Sequence, residues 1–153
     1  MVLTDLQDAL LEELRTLVEA GTVTSADLFS MPAGDADEEL ERLGRRAPFI
    51  ALLYAGGDLH PLNLAQGRYR HVPEYNLLIG VSALRSKAAP AKSLPEILEA
   101  AMRLLSNQKL GLALQQPIQF GKIEGPLLLK GGVMLYSVTL VTEFAWDLAE
   151  EEE

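Results

Sequence analysis

The chemistry open to this chain is limited first by what it lacks. It has two histidines, His60 and His71, and no cysteine. Asp58 and His60 stand two apart and could turn toward one metal ion. A protein metal site usually needs three or four ligands, and no cysteine or further histidine completes one. No Gly-x-Ser-x-Gly elbow is present for a Ser-His-Asp hydrolase. Gly56-Gly57 follows an apolar run, as phosphate loops do, but the Lys-Ser/Thr of a P-loop is missing, and so is a Gly-x-Gly-x-x-Gly. The paired carboxylates Glu12-Glu13 and Glu38-Glu39 are adjacent, and neighbours on a helix do not face each other. These absences predict no catalytic residue, no metal, no cofactor and no enzyme. The alternative is an enzyme or small-ligand-binding protein using the Asp58/His60 loop, through Asp58, His60 or His71, which convergence of those side chains in a deep pocket would favour.

Arg68-Tyr69-Arg70 is the second constellation, with His71 next to it. An aromatic between two arginines can stack a nucleic-acid base. Tyr and Arg are also favoured in the energetic centres of protein interfaces. The charge balance decides between these. Thirteen basic against 22 acidic residues leave a net charge of −9. Nucleic-acid binding normally needs clustered cations that displace counterions. Arg68, Tyr69 and Arg70 are therefore read as subunit-interface candidates, with no specific nucleic-acid binding.

The chain has 153 residues, which suits one domain with a core that needs no disulfide or metal. The expected layout is a single domain over 1–146 followed by an acidic tail over 147–153. The longest apolar run, Phe49–Ala55, falls far short of the ~20 residues of a membrane helix. The opening Met-Val-Leu-Thr-Asp lacks the basic and apolar regions of a signal peptide. Neither membrane insertion nor export is expected.

The elements that must position these residues follow from periodicity. Leu6, Ala9, Leu10, Leu14, Leu17 and Val18 recur at helical spacing, with Thr4 and Gln7 as a capping box and Gly21 as the end. Thr22–Phe29 mixes strand and turn signals, and Met31–Gly34 is a turn. Asp37–Leu43 suits a short helix. Phe49–Ala55 reads as a buried strand, and Gly56–His71 as a long loop. Tyr75, Leu77, Ile79 and Val81 alternate as a second strand. Leu84–Lys92 is a linker. Ser93 and Glu96 cap a second helix whose buried face is Ile97, Leu98, Ala101, Leu104 and Leu105, ended by Asn107–Gly111. Pro117–Ile123 is a third strand, with Leu127–Leu129 continuing it and Gly131-Gly132 as a hairpin turn.

The last strand has the clearest pattern. Met134, Tyr136, Val138, Leu140, Thr142, Phe144 and Trp146 point one way, and Val133, Leu135, Ser137, Thr139, Val141 and Glu143 the other. Together the elements predict an α+β domain, two main helices packed on one face of a mostly antiparallel sheet of about four to five strands. The second face of the last strand is covered either by the chain's own helices or, in part, by a neighbouring subunit.

The helix Ile97–Leu105 runs through Ser-Asn-Gln-Lys-Leu into Gly111. Strand Pro117–Ile123, a glycine-containing turn and the long closing strand Val133–Phe144 with its Val-Thr-Glu-Phe ending follow. With the opening helix Leu3–Val18 and the strand Pro48–Gly56, this order resembles the tail terminator family of phage Mu-like contractile tails. The resemblance covers most of the chain through element order. It implies a structural α/β protein that closes into a homo-hexameric ring on the head-proximal end of the tail tube and stops its polymerisation. The implied partners are the tail tube protein, the sheath protein and head-completion proteins. The implied location is the virion tail, or a phage-like particle, assembled in the host bacterial cytoplasm. DNA would pass through the bore without being gripped, which suits an acidic chain. A head–tail completion or adaptor protein is the other assembly reading.

Overall fold

A computed structural model describes residues 2–29, 38, 42, 47–82, 94–129 and 132–148. Five strands form one sheet in the order β1-β2-β3-β5-β4: β1 Ser25–Leu28, β2 Phe49–Asn63, β3 Arg68–Ser82, β4 Leu114–Leu129 and β5 Val133–Asp147. β1 joins β2 in parallel, and every other pairing is antiparallel. The helices α1, Leu3–Glu19, and α2, Leu94–Leu105, pack on one face. The class is α+β, as the periodicity predicts.

α1 buries Leu6, Leu10, Leu11, Leu14 and Leu17. It starts one residue before the expected cap, with Val2 at the N-cap position and Thr4 already inside the helix. The Asp5 carboxylate accepts from the Val2 N–H at 3.0 Å, so an acid in the first turn does the work assigned to Thr4 and Gln7. α2 buries Ile97, Ala101 and Leu105. Beyond it Asn107 takes a left-handed φ of 61°. There its N–H donates to the Ile118 carbonyl at 2.8 Å, and Ile118 N–H returns a bond to Gln108 at 2.9 Å. The helix end is thus fastened to β4.

On the helix side, Ile50, Leu52, Tyr75, Leu77, Ile79, Val138, Leu140 and Phe144 join the helical leucines in the main core. The other sheet face carries a smaller cluster at one end, Phe29, Phe49, Ala51, Leu78, Val133 and Leu135. Further along it, Asn76 and Thr139 meet across β3 and β5 at 3.3 Å, and Val141 and Glu143 are half-buried. Among the described residues the helices therefore cover one face of β5, not both. Its two sets of side chains divide as the alternation predicts.

Several boundaries differ from the sequence reading. The strand in Thr22–Phe29 begins at Ser25, after Thr-Val-Thr. Pro117–Ile123 and Leu127–Leu129 are one strand with four register shifts against β5. One shift lies between Phe120 and Lys122, so Phe120 opposes Leu140 while Ile123 opposes Val138 on that same face. Strict alternation over Pro117–Ile123 would place Ile123 on the face opposite Phe120; the bulge inverts that. A second irregularity, between Gln116 and Gln119, turns the Gln116 carbonyl to the buried Thr142 hydroxyl at 2.6 Å. Asp147 ends β5 instead of opening a tail. Of the expected helix Asp37–Leu43, Glu38 and Arg42 are described, both helical and exposed. Met31–Gly34, Leu84–Lys92, Ser93 and Gly131 lie outside the described residues, as do 149–153.

Gly80 is set by a neighbour. It pairs directly with Phe49, and a methyl group on it would come within 2.1 Å of the Phe49 ring. The ring lies over the bare glycine and is fully buried in the smaller cluster. Gly80→Ala should lower stability by about 1–3 kcal/mol through overpacking, read from the urea midpoint at unchanged slope.

Candidate assembly surface

The region read as a long loop, Gly56–His71, is a β-hairpin. β2 continues to Asn63, a 3-10 turn spans Leu64–Gln66, and β3 starts at Arg68. Asn63 caps the turn by accepting from Gln66 N–H at 3.3 Å, and Gly67 leaves it with a φ of 65°. Leu148 N–H donates to the Gly67 carbonyl at 3.1 Å, tying the end of β5 to the turn. The strand runs through Gly56-Gly57, which follow a mid-strand bulge between Tyr54 and Gly56 instead of starting a loop. At Gly57 a Cβ would sit 2.0 Å from the Val72 carbonyl oxygen, so only glycine lets the two backbones approach.

This strand geometry separates the residues that a ligand site needs together. Beyond the bulge Leu59 opposes His71, His60 opposes Arg70, and Asp58 opposes Val72. Asp58 and His60 therefore face away from the helices, while His71 turns toward them. His71 is only 2% exposed, so it is no surface loop histidine. Its Nδ1 lies 2.9 Å from the Asp58 carbonyl oxygen and its Nε2 2.7 Å from the Tyr54 hydroxyl. A carbonyl can only accept, so Nδ1 carries the hydrogen and Nε2 accepts from Tyr54. The ring is packed by Trp146 at 5.4 Å and Phe144 at 5.8 Å between centroids. Desolvation raises the pKa of the Tyr54 hydroxyl, keeping it a donor. His71 is a structural member of an aromatic cluster.

His71 therefore does not converge with Asp58 and His60. No group of three or more His, Cys, Asp or Glu residues among the described residues is arranged for a metal ion. One shallow groove of about 330 Å³ runs between α1 and β1, lined by Arg15, Val18, Glu19 and Thr24–Asp27. It contains none of Asp58, His60 and His71.

Arg68, Tyr69 and Arg70 open β3 beside the hairpin turn. Alternation sends Tyr69 to the helix side, opposite Trp146 and Pro61, and both arginines to the other. The arginines cannot sandwich a base stacked on that ring. Arg70 Nε meets Glu143 at 3.3 Å and Arg68 Nε meets Asp147 at 3.9 Å, across the β3–β5 pair. All three remain at the surface, Tyr69 partly covered.

What periodicity missed is a set of exposed apolar side chains at two places. Leu59, Leu62 and Leu64 line the end of the hairpin, with Leu148 beside it, and Leu64 is 69% exposed. Ile123, Leu127 and Leu128 line β4, and Leu128 is 70% exposed. The signal was present as leucines inside a segment rich in turn formers, but exposure is not written in residue type. No protein-family model and no curated protein matches the chain.

The aromatic cluster yields a paired prediction. Tyr54→Phe strips a buried imidazole nitrogen of its donor and should cost about 1–3 kcal/mol. The buried Tyr75 hydroxyl has no hydrogen-bond partner among the described residues, so Tyr75→Phe should be neutral or stabilising. Burial and then the neighbouring Tyr54 raise the Tyr75 pKa in the folded state. The unfolded chain therefore ionises first, near the ordinary tyrosine value of about 10. Stability present below that pH should fall as pH rises above it, and fall less in Tyr75→Phe. Urea titrations at neutral and alkaline pH check all three.

Proposed function

We propose that this chain is a structural subunit that closes head to tail into a ring and caps the head-proximal end of a contractile phage or phage-like tail tube. One observation carries the reading. The chain exposes two unlike apolar patches on different sheet edges, at the β2 end of the hairpin and along β4. A two-fold dimer matches a patch to itself, whereas a head-to-tail contact matches two different patches. Repetition of such a contact closes a ring when the rotation fits.

The element order described for the family-like segments is compatible with the tail terminator reading, and the net charge of −9 suits a bore through which DNA passes unheld. On this reading the tail tube, sheath and head-completion proteins are the partners. Arg68, Tyr69 and Arg70, beside the hairpin leucines, are candidates for the contact. The fold supplies rigidity through long paired strands, and the surface supplies the contacts.

The test is the mass of the purified protein by light scattering with negative-stain images of the same sample, alone and with purified tail tubes. A hexameric ring, free or seated on tube ends, is expected. A monomer at every concentration that tubes fail to recruit overturns the proposal. Leu64→Asp should abolish ring formation while moving the melting temperature little, because the side chain is already in water; assembly at unchanged strength would exclude the hairpin end from the contact.

A further inference from the structure

We propose that neighbouring copies join by strand pairing, the outer edge of β2 over Gly57–His60 lying antiparallel against the outer edge of β4 over Lys122–Gly125 of the next copy. This deepens the ring reading above and rests on it.

Among the described residues both edges are open. β1 reaches only Phe49–Leu52 of β2. Beyond Leu52, β2 has β3 on one side and no strand on the other among the described residues. Among the same residues β4 pairs with β5 alone. Each edge therefore presents a row of backbone donors and acceptors suited to strand addition.

Polarity matches. β2 and β5 run one way, and β3 and β4 the other, because each antiparallel step reverses direction. Rotation about an axis along the strands preserves direction. The β4 of one copy then meets the β2 of the next antiparallel, and the sheet continues without a change of type.

The side chains match face by face. Leu59 opposes His71, and Ile123 opposes Val138, so both exposed apolar residues lie on the helix side of the sheet. On the other side Asp58 and His60 stand on β2, and Lys122, opposing Thr139, stands on β4. Among the described residues Lys122 pairs with the exposed Glu124 at 3.3 Å. Joining the edges brings apolar to apolar on one face. With Leu59 opposite Ile123, His60 stands opposite Lys122 and Asp58 opposite Glu124, so Lys122 reaches Asp58 along the diagonal. Proline sets the limits. Pro61 closes the β2 stretch and Pro126 the β4 stretch, since proline cannot donate to a new ladder.

The occupant is a second copy because one contact uses both the β2 and the β4 edge. A two-fold contact of β4 with β4 would leave β2 open.

The absence of cysteine makes the test direct. Two double variants, Leu59→Cys/Ile123→Cys and His60→Cys/Lys122→Cys, are oxidised in the assembled state, free or on purified tail tubes. Disulfide-linked ladders ending at the ring size are expected from at least one, and none from the single variants. In parallel, Lys122→Glu should weaken assembly about tenfold, and adding Asp58→Lys should restore it. Rings by light scattering and negative stain, with no ladder and no charge rescue, would overturn the edge pairing and leave the ring reading intact. Dimers from Ile123→Cys alone would overturn it in favour of a two-fold β4 contact. A monomer that tubes do not recruit would overturn both.

Discussion

The pairing of β3 with β5 is the constraint on which the rest depends. It runs from Arg68 against Asp147 to Ser82 against Val133 without a register shift. Because side chains alternate along a strand, a single slip would exchange the helix side for the other side over the whole sheet. That fixed register places Tyr75, Leu77, Ile79, Val138, Leu140 and Phe144 under the helices together. It also aligns Arg70 with Glu143 and Asn76 with Thr139 on the far face. Exposed ion pairs of this kind contribute little stability, about 0.2–1 kcal/mol. Their use here is to mark a register that the apolar side chains hold.

The flanking strands absorb the irregularity that the central pair excludes. β2 is interrupted by a bulge between Tyr54 and Gly56 and a second shift between Pro61 and Asn63, and β4 by four shifts. Bulges bend a strand and re-aim its side chains. In β2 the bulge comes where the strand leaves the helix-covered region, and the backbone beyond it projects Leu59, Leu62 and Leu64 into solvent. In β4 the shifts leave Ile123 and Leu128 pointing to the helix side but beyond the helices' reach. The same departures from regular pairing that limit these strands as general aggregation templates give each edge a distinct shape. A distinct shape is what a selective partner contact requires.

The aromatic cluster joins the two regimes. His71 ties the carbonyl of Asp58, on the projecting part of β2, to Tyr54 before the bulge. Trp146 and Phe144 pack the same ring from β5. The projecting hairpin is thereby held stiffly to the sheet. A stiff arm loses less entropy on docking than a loose one, so its contacts convert more fully into affinity.

By itself, the sequence determined the class and the core. Helical spacing marked Leu6 to Leu17 and Ile97 to Leu105, and strict alternation marked both faces of β5, because burial against a single layer imposes those periods. Absence of cysteine and of nucleotide or hydrolase motifs was equally plain from residue types alone. The hairpin was not legible: Asp58-Leu59-His60-Pro61-Leu62-Asn63 lies beyond the helices, so no buried face imposed a period on it. Nor was the fate of His71. Whether a histidine is a ligand or a core residue depends on what stands across the strand, here Leu59 on one side and Phe144 on the other. The bulges, the separation of Asp58 and His60 from His71, and the two open edges were decided only by strand pairing, which links residues far apart in the chain and so leaves no trace in local spacing.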